Sequence, residues 1–170
     1  MLVPYFQKRC RNTDKILKAM YVAAGIGQII ATRSSISGAA GGCQAEIGSA
    51  SSMAAGALTY LQGGNCEQIA TAAAMAMKNL LGLVCDPVAG LVEVPCVKRN
   101  VIGTVNAMAC ADMAMAGIVS RIPPDQVMDA MKEVGDKMDA SLRETALGGL
   151  ARTEEGVKIA EKMHASQENW

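Results

Sequence analysis

Cys43, Cys85 and Cys96 lie in a stretch of the chain, residues 34–97, that carries few charges and also contains Cys66. Each follows a short segment rich in glycine, proline or small apolar residues, where the chain is expected to reverse direction. Thiolates in an apolar, water-poor setting are the ligands of iron–sulfur clusters. The residue types and their setting therefore favour a buried metal site of this kind.

The number of cysteines also bears on the chemistry. Four thiolates would close a metal centre, whereas three leave one coordination position open to a substrate. Cys43 and Cys96 lie at predicted helix starts, where the helix dipole favours the thiolate. Cys85 lies past a predicted helix end, where no dipole favours the thiolate, so only metal binding would deprotonate it. The single histidine, His164, lies in a polar tail and is expected to be solvated, so the pattern favours an iron–sulfur cluster over zinc.

A second interpretation of the same residues stays open at this point. Cysteine in an alanine-rich helix commonly acts as a small hydrophobic residue, and the long intervals here match no short metal-binding motif. That role is assigned to the other three cysteines, Cys10, Cys66 and Cys110.

Several polar residues near the cysteines are weaker candidates. Lys78 and Asn79 could bind a substrate carboxylate, although the Lys78 ammonium could equally extend into solvent. Glu46, one helical turn after the first cysteine, could support a ligand or stabilise its own helix start. Asp86 is interpreted as the beginning of a turn, and residues 98–100 as a solvated helix start rather than a carboxylate site. No general base is assigned.

The periodicity of apolar residues predicts an all-α fold that positions these side chains. We expect caps at Asn12 or Thr13, at Asn65 with Gln68, at Pro124, and at Ser141 with Glu144. The segments 34–42 and 85–95 are predicted to be irregular. The predicted helices span about residues 13–32, 43–61, 65–83, 99–119 and 124–138, with a short helix from 141 to the glycines at 148–149 and an amphipathic tail at 153–165.

Composition and charge restrict the class of protein. Hydrophobic residues make up 51% of the chain and aromatic residues only 3%, so the core must consist of closely packed helices rich in alanine, methionine and glycine. We expect one compact helical domain over residues 1–170.

The formal net charge of zero gives no electrostatic case for nucleic acid or an anionic membrane. Residues 101–119 have the length of a membrane span but carry Asn106 and Asp112, which predicts a buried helix instead. Residues 1–12 lack the apolar core of a secretory signal, which favours a cytoplasmic protein with reduced thiols.

Three segments of the chain resemble the cluster motifs of bacterial iron–sulfur-dependent L-serine dehydratases. They are SGAAGGCQAEIG at 37–48, KNLLGLVCDPVAG at 78–90 and VPCVKRN at 94–100. The intervals of 42 residues from Cys43 to Cys85 and 11 residues from there to Cys96 agree with that family's pattern. The similarity runs from about residue 12 to 153 and includes RETALGG at 143–149.

The resemblance implies a [4Fe–4S] cluster on Cys43, Cys85 and Cys96, and the conversion of L-serine to pyruvate and ammonia, a step of amino-acid degradation that feeds gluconeogenesis. The iron without a cysteine ligand would act as a Lewis acid on the β-hydroxyl of the substrate. The resemblance also implies that the chain corresponds to the C-terminal portion of a longer α-type chain, and that it requires a β subunit or an N-terminal segment and forms an oligomer.

Two alternatives remain beside this interpretation. The chain could be a non-catalytic, truncated remnant of the fold, or a related cluster-dependent hydro-lyase that acts on L-threonine or another hydroxy or amino acid. A pyridoxal-phosphate lyase is disfavoured, because Lys78 is the only lysine in the apolar region and no phosphate-binding loop surrounds it.

Overall fold

The computed structural model describes residues 12–167, with side chains to residue 165. Within these residues the chain is helical and contains no strand, so the all-α prediction is confirmed. A π-helix covers Gln44–Gly48, and short 3₁₀-helices cover Val88–Gly90, Ala140–Leu142 and Gly149–Arg152. The α-helices are α1 Thr13–Arg33, α2 Gly38–Gly41, α3 Ser49–Gln62, α4 Cys66–Lys78, α5 Cys96–Met115, α6 Pro124–Lys137 and α7 Glu154–Gln167.

Three of the predicted helix starts are confirmed, because their signals are local. The Asn12 side chain accepts a hydrogen bond from the backbone N–H of Lys15 at 3.1 Å. Asn65 and Gln68 form a reciprocal capping box, with bonds of 2.9 and 3.0 Å. Pro124 is the first residue of α6, where its missing N–H costs nothing.

Helix α3 lies at the centre of the packing and contacts α1, α4 and α5. Helix α4 also packs against α5 and α6, and α6 against α1 and α2. The largest core cluster lies among α3, α4 and α5, and most of its members are alanines, as the composition predicts. They are Ala54, Ala55, Leu58, Ala72, Met75, Ala76, Ala107, Cys110, Ala111 and Ala114.

A glycine allows α5 to approach the π-helix and α3 closely. A Cβ on Gly103 would lie 2.7 Å from Cγ2 of Ile47. At the same contact, the Ser51 hydroxyl donates to the carbonyl of Gly103 at 2.7 Å. This contact fixes the first part of α5, which carries the third candidate cysteine.

Several predicted boundaries are wrong. Helix α4 ends at Lys78 rather than near residue 83, because Gly82 has a φ of +83° and its N–H bonds to a side chain outside the helix. Helix α5 begins at Cys96 rather than at 99 and ends at Met115 rather than at 119, where Gly117 at φ +87° turns the chain. The loop predicted at 34–42 contains α2, and the first turn predicted for the helix at 43–61 is a π-helix.

The predicted capping box of Ser141 with Glu144 is also wrong. The cap there is Asp139, whose carboxylate accepts from the Ser141 N–H at 2.8 Å and begins a single 3₁₀ turn. Glu144 has a φ of +65°, which is incompatible with a helix, and its N–H donates to the carbonyl of Cys85 at 2.9 Å. The segment is held by that distant pairing rather than by its own helix signals.

Within residues 12–167, no helix combines the length and the apolar character that crossing a membrane requires.

Candidate metal centre

The position of Cys43 is set by the turn that precedes it. Gly42 has a φ of +76°, a conformation that glycine adopts without strain. A Cβ on Gly42 would lie 2.9 Å from the carbonyl oxygen of Leu83, and that oxygen accepts the N–H of Gln44 at 2.8 Å. Cys43 itself is fully buried. It is therefore fixed directly against the segment that leads to the second cysteine.

The side chain of Gln44 strengthens this link. It is buried, its Nε2 donates to the carbonyl of Met131 at 3.0 Å, and its Oε1 accepts the N–H of Gly82 at 2.9 Å. It thus joins α6 to the turn that follows α4. The sequence predicts no role for Gln44, because its only local signal is one polar residue between a cysteine and an alanine.

Cys85 is held by backbone pairing with a distant segment. Its N–H donates to the carbonyl of Leu142 at 2.8 Å, and its carbonyl accepts from Glu144 at 2.9 Å, which forms an isolated parallel bridge with Arg143. The Cys85 side chain is buried. Residues 142–144, which follow α6, therefore hold the backbone of this cysteine in place.

Cys96 completes the group as the first residue of α5. It is half-buried and packs against the cluster of Cys43, Cys85 and Ile47, together with Leu80 and Leu83. The structure thus brings together the three cysteines that the sequence singled out, from three separate segments.

Glu46 lies at the edge of this group because of the π-helix. One carboxylate oxygen of Glu46 and the Sγ atoms of Cys43 and Cys85 lie within 4.8 Å of one another. π-Helical turns occur frequently at functional sites, and this one carries Glu46 beside the sulfurs. The carboxylate also lies against the start of α2, where a Cβ on Gly38 would be 2.8 Å from Oε2 of Glu46.

Burial controls the protonation of the site. Burial, followed by the neighbouring Cys43, raises the pKa of Cys85 well above its usual range. Burial also raises the pKa of Cys96, and Arg99 opposes this only in part. Burial thus opposes the expected effect of the helix start, which favours the Cys96 thiolate. Burial, and then Glu144, raises the pKa of Glu46. A metal that binds here must displace thiol protons, so its affinity rises with pH.

A cavity of about 360 Å³ opens beside the sulfurs. Its lining includes Cys85, Cys96, Glu46, Glu144 and Asn100. The cavity thus places two carboxylates and one amide next to the candidate metal ligands.

A buried ion pair stands behind the cysteines. Nη1 of Arg99 lies 2.7 Å from Oδ1 of Asp86, and their side chains are only 16% and 4% exposed. The same nitrogen donates to the carbonyl of Val84 at 2.8 Å and to Sγ of Cys43 at 3.8 Å. The second carboxylate oxygen of Asp86 accepts the N–H of Leu150 at 2.8 Å.

This arrangement corrects two expectations. Arg99 does not belong to a solvated helix start, and Asp86 does more than begin a turn. A carboxylate in a nearly uncharged stretch requires a partner when it is buried, and that requirement is the signal that could have identified the pair. The guanidinium keeps its charge here, because its bonds to Asp86 raise the pKa of Arg99 against the effect of burial.

Lys78 and Asn79, the predicted substrate contacts, lie elsewhere. Nζ of Lys78 bonds to the hydroxyl of Ser120 at 2.9 Å, and Nδ2 of Asn79 donates to Oδ1 of Asn106 at 2.7 Å. Neither residue lines the cavity beside the cysteines. Their role toward a substrate stays a prediction.

The remaining candidates lie outside the cysteine group. Cys66 is exposed at the start of α4, and Cys110 is buried in the α3–α4–α5 core, where burial raises its pKa to about 11. His164 is exposed on α7, as predicted. Cys10 lies outside the described residues.

The residues present fit a thiolate-bound metal centre. All the cysteines of the described residues are free thiols, and three of them converge in one apolar cluster with a carboxylate at its edge. Three sulfur donors beside a cavity, with the chain's only histidine on the exposed surface of α7, suit an iron–sulfur cluster better than a structural zinc ion.

Comparison with known proteins identifies close relatives. The family described as serine dehydratase alpha chain matches residues 1–151. The chain is 57% identical over 148 residues to the probable L-serine dehydratase alpha chain of Latilactobacillus sakei, which covers 87% of this chain and 71% of that protein. It is 57% identical over 150 residues to the probable L-serine dehydratase alpha chain of Bacillus subtilis, covering 88% and 50%. It is 50% identical over 159 residues to the L-serine dehydratase alpha chain of Peptoniphilus asaccharolyticus, covering 94% and 54%. In the last two comparisons the chain spans about half the length of the relative.

Proposed function

Since the chain belongs to the serine dehydratase alpha-chain family, we propose that it forms the cluster-binding part of an enzyme that converts L-serine to pyruvate and ammonia. One observation carries the proposal: Cys43, Cys85 and Cys96 converge in a single cluster beside a cavity that two carboxylates help to line. The names of the relatives support the substrate and the reaction.

In this proposal the three cysteines hold a [4Fe–4S] cluster. When bound, the cluster supplies a Lewis-acidic iron that no cysteine occupies, suited to the β-hydroxyl of serine, which is a poor leaving group. The backbone pairing of Cys85 and the Gly42 turn before Cys43 keep the ligands in place before the metal arrives. Such preorganisation lowers the entropy that metal binding must otherwise remove.

The cavity beside the sulfurs is the proposed substrate site. The carboxylates of Glu46 and Glu144 line it and attract the ammonium group of an amino acid, and Asn100 offers an amide for hydrogen bonding. Ile47 and Val97 add apolar surface that limits the access of water. Lys78 and Asn79 do not line this cavity, so their predicted contact with the substrate carboxylate is a separate proposal, and no general base is assigned.

We further propose that residues 1–170 form one helical domain of a larger cytoplasmic assembly, completed by further α-chain sequence or a β subunit. The share of the relatives' length that the chain covers supports this. Exposed apolar side chains next to the cavity and on α5 also support it, since such a surface is typical of an interface. Val92 is 62% exposed, Val97 55% and Val101 47%.

The test is anaerobic loading of the complete enzyme, this chain together with its further segments, with iron and sulfide. We expect a broad visible absorption that survives Cys66→Ala, in an exposed thiol, and is lost in Cys85→Ala, because only the second thiol belongs to the convergent group. Pyruvate formation from L-serine should follow the absorption.

Three results would contradict the proposal in different ways. Absorption that both variants lose, or that the wild type never shows, would remove the cluster assignment. A cluster without turnover would favour the non-catalytic remnant. Turnover of L-threonine or a hydroxy acid in preference to L-serine would favour the related hydro-lyase.

A further inference from the structure

We propose that Arg99 is a positioning residue that acts through the sulfur of Cys43, and that Asp86 and the backbone of Leu150 hold it there. The inference rests on the proposed function in one respect, the role of Cys43 as a cluster ligand. It adds a cationic hydrogen-bond donor to the sulfur of that ligand, from a residue whose role composition and motif spacing did not identify.

The contacts of the guanidinium carry the argument. A single nitrogen of Arg99 faces three acceptors, Asp86, Val84 and Cys43, at 2.7, 2.8 and 3.8 Å. The Asp86 carboxylate holds the guanidinium in place and keeps it charged. The Val84 carbonyl binds the same nitrogen to the segment that carries Cys85. The bonds to Asp86 and Val84, rather than the sulfur, therefore place the guanidinium against Sγ of Cys43.

Asp86 is in turn held from outside the cysteine segments. Its second oxygen accepts the N–H of Leu150, and a Cβ on the adjacent Gly149 would lie 2.7 Å from Cβ of Asp86. The carboxylate is therefore enclosed by the 3₁₀-helix Gly149–Arg152 on one side and Arg99 on the other. An ion pair this well enclosed keeps its donor in one orientation, whereas exposed pairs exchange with water.

A cationic N–H donor to a ligand sulfur has a defined effect on a metal centre. Hydrogen bonds to the sulfurs and nearby charge help to set the reduction potential of an iron–sulfur cluster. A positive donor stabilises the more negative, reduced state, so its removal lowers the potential. A residue that merely supports the fold would leave the potential of the folded protein unchanged.

The experiment compares the cluster potential of four forms of the complete enzyme loaded anaerobically with iron and sulfide. They are the wild type, the single variant Asp86→Asn, the double variant Asp86→Asn/Arg99→Met, and Arg33→Gln as the matched control. Replacing both members of a buried pair avoids an unpaired charge, and the amide oxygen that the Asp86→Asn change introduces can still accept the N–H of Leu150. Arg33 forms ion pairs with Asp125 and Asp129 at an exposed contact of α1 with α6.

We expect the double variant to show a lower midpoint potential than Asp86→Asn, since both lack the carboxylate charge and only the double variant lacks the guanidinium, and Arg33→Gln to show the wild-type value. A folded, cluster-loaded double variant with the same potential as Asp86→Asn would overturn the inference. If that double variant fails to load, Asp86→Asn/Arg99→Gln is measured instead. It keeps a polar side chain at residue 99 without the positive charge, so its potential must also lie below that of Asp86→Asn, and an equal value overturns the inference.

Pyruvate formation from L-serine is measured on the same samples, which separates the two proposals. A cluster-loaded wild type that shows the shift on mutation but forms no pyruvate refutes the proposed function and supports the positioning role. An active enzyme without the shift refutes the positioning role alone. A wild type that binds no cluster overturns both.

Discussion

Replacement of Gly149 by alanine should destabilise the protein far more than the same change at another left-handed glycine. Gly149 has a φ of +58°, and an alanine there costs about 1–2 kcal/mol of backbone strain. Its new Cβ would also meet the carboxylate of Asp86, with Cγ at 2.9 Å and Cβ at 2.7 Å. Because the Asp86 side chain is short and bonded on both sides, it cannot move aside without breaking its pair with Arg99.

The expected magnitude follows from these two contributions. Disruption of a buried ion pair costs about 3–5 kcal/mol, which brings the total to about 4–7 kcal/mol. At about 2–4 °C per kcal/mol for a chain of this size, Tm should fall by about 8–28 °C. The assay is thermal unfolding of the metal-free protein, followed by far-ultraviolet circular dichroism.

Gly117→Ala is the matched control for this experiment. Gly117 has a φ of +87°, and a Cβ there would have no atom within 4 Å. It therefore reports the backbone strain alone, with an expected fall in Tm of about 2–8 °C. Equal losses of stability at the two glycines would refute the argument that Asp86 is held rigidly.

Three further predictions concern single side chains. Gln44→Met should lower the free energy of unfolding by about 1–3 kcal/mol, since two hydrogen bonds of the buried amide are lost. The control Gln62→Met, at an exposed side-chain contact, should change it by less than about 0.5 kcal/mol. Denaturant titrations measure both variants. Asn65→Ala should cost about 1 kcal/mol through loss of the capping box, and an unchanged midpoint in urea would contradict that role. Burial, and then Glu144, raises the pKa of Glu46 above its usual 4.5, so the protein is stabilised below that value and loses this stabilisation as pH rises through the higher folded-state pKa. Glu46→Gln should flatten this part of the stability profile, measured by urea titration from pH 4 to 7, and a profile parallel to the wild type would exclude the assignment.

Local signals predicted the parts of the fold that depend on neighbouring residues. Asn12, Asn65 with its Gln68 partner, and Pro124 each act within one turn of the chain, and each begins a helix where the sequence indicates. The alanine-rich composition likewise predicted the core, since small side chains leave few other ways to bury a helix face.

Long-range contacts account for the errors. Glu144 follows Ser141 at the spacing of a capping box, yet its backbone pairs with Cys85 and takes a positive φ instead. Helix α4 ends early because the Gln44 side chain, 38 positions away from Gly82, takes the N–H of that glycine. A short sequence window contains neither partner, so its pattern cannot predict the outcome.

The candidate site shows the same division. The sequence singled out the three cysteines by their residue type and setting, whereas Arg99 and Asp86 looked like ordinary polar residues near a helix start and a turn. Their burial depends on the 3₁₀-helix Gly149–Arg152, which covers them from far along the chain. Residue chemistry can therefore indicate candidate ligands, but the groups that orient them emerge only from the fold.

The contact between Asp86, next to Cys85, and Leu150 also has a consequence for biosynthesis. Asp86 and Leu150, which its carboxylate binds, are 64 positions apart, and the ribosome adds about 5–20 residues per second. Roughly 3–13 s therefore pass between the synthesis of the second cysteine and that of the segment that encloses it. During this interval the nascent thiols have no preformed site. Under the proposed function, iron delivery would follow translation of the enclosing segment, and until then these thiols would depend on a reducing environment to stay unoxidised.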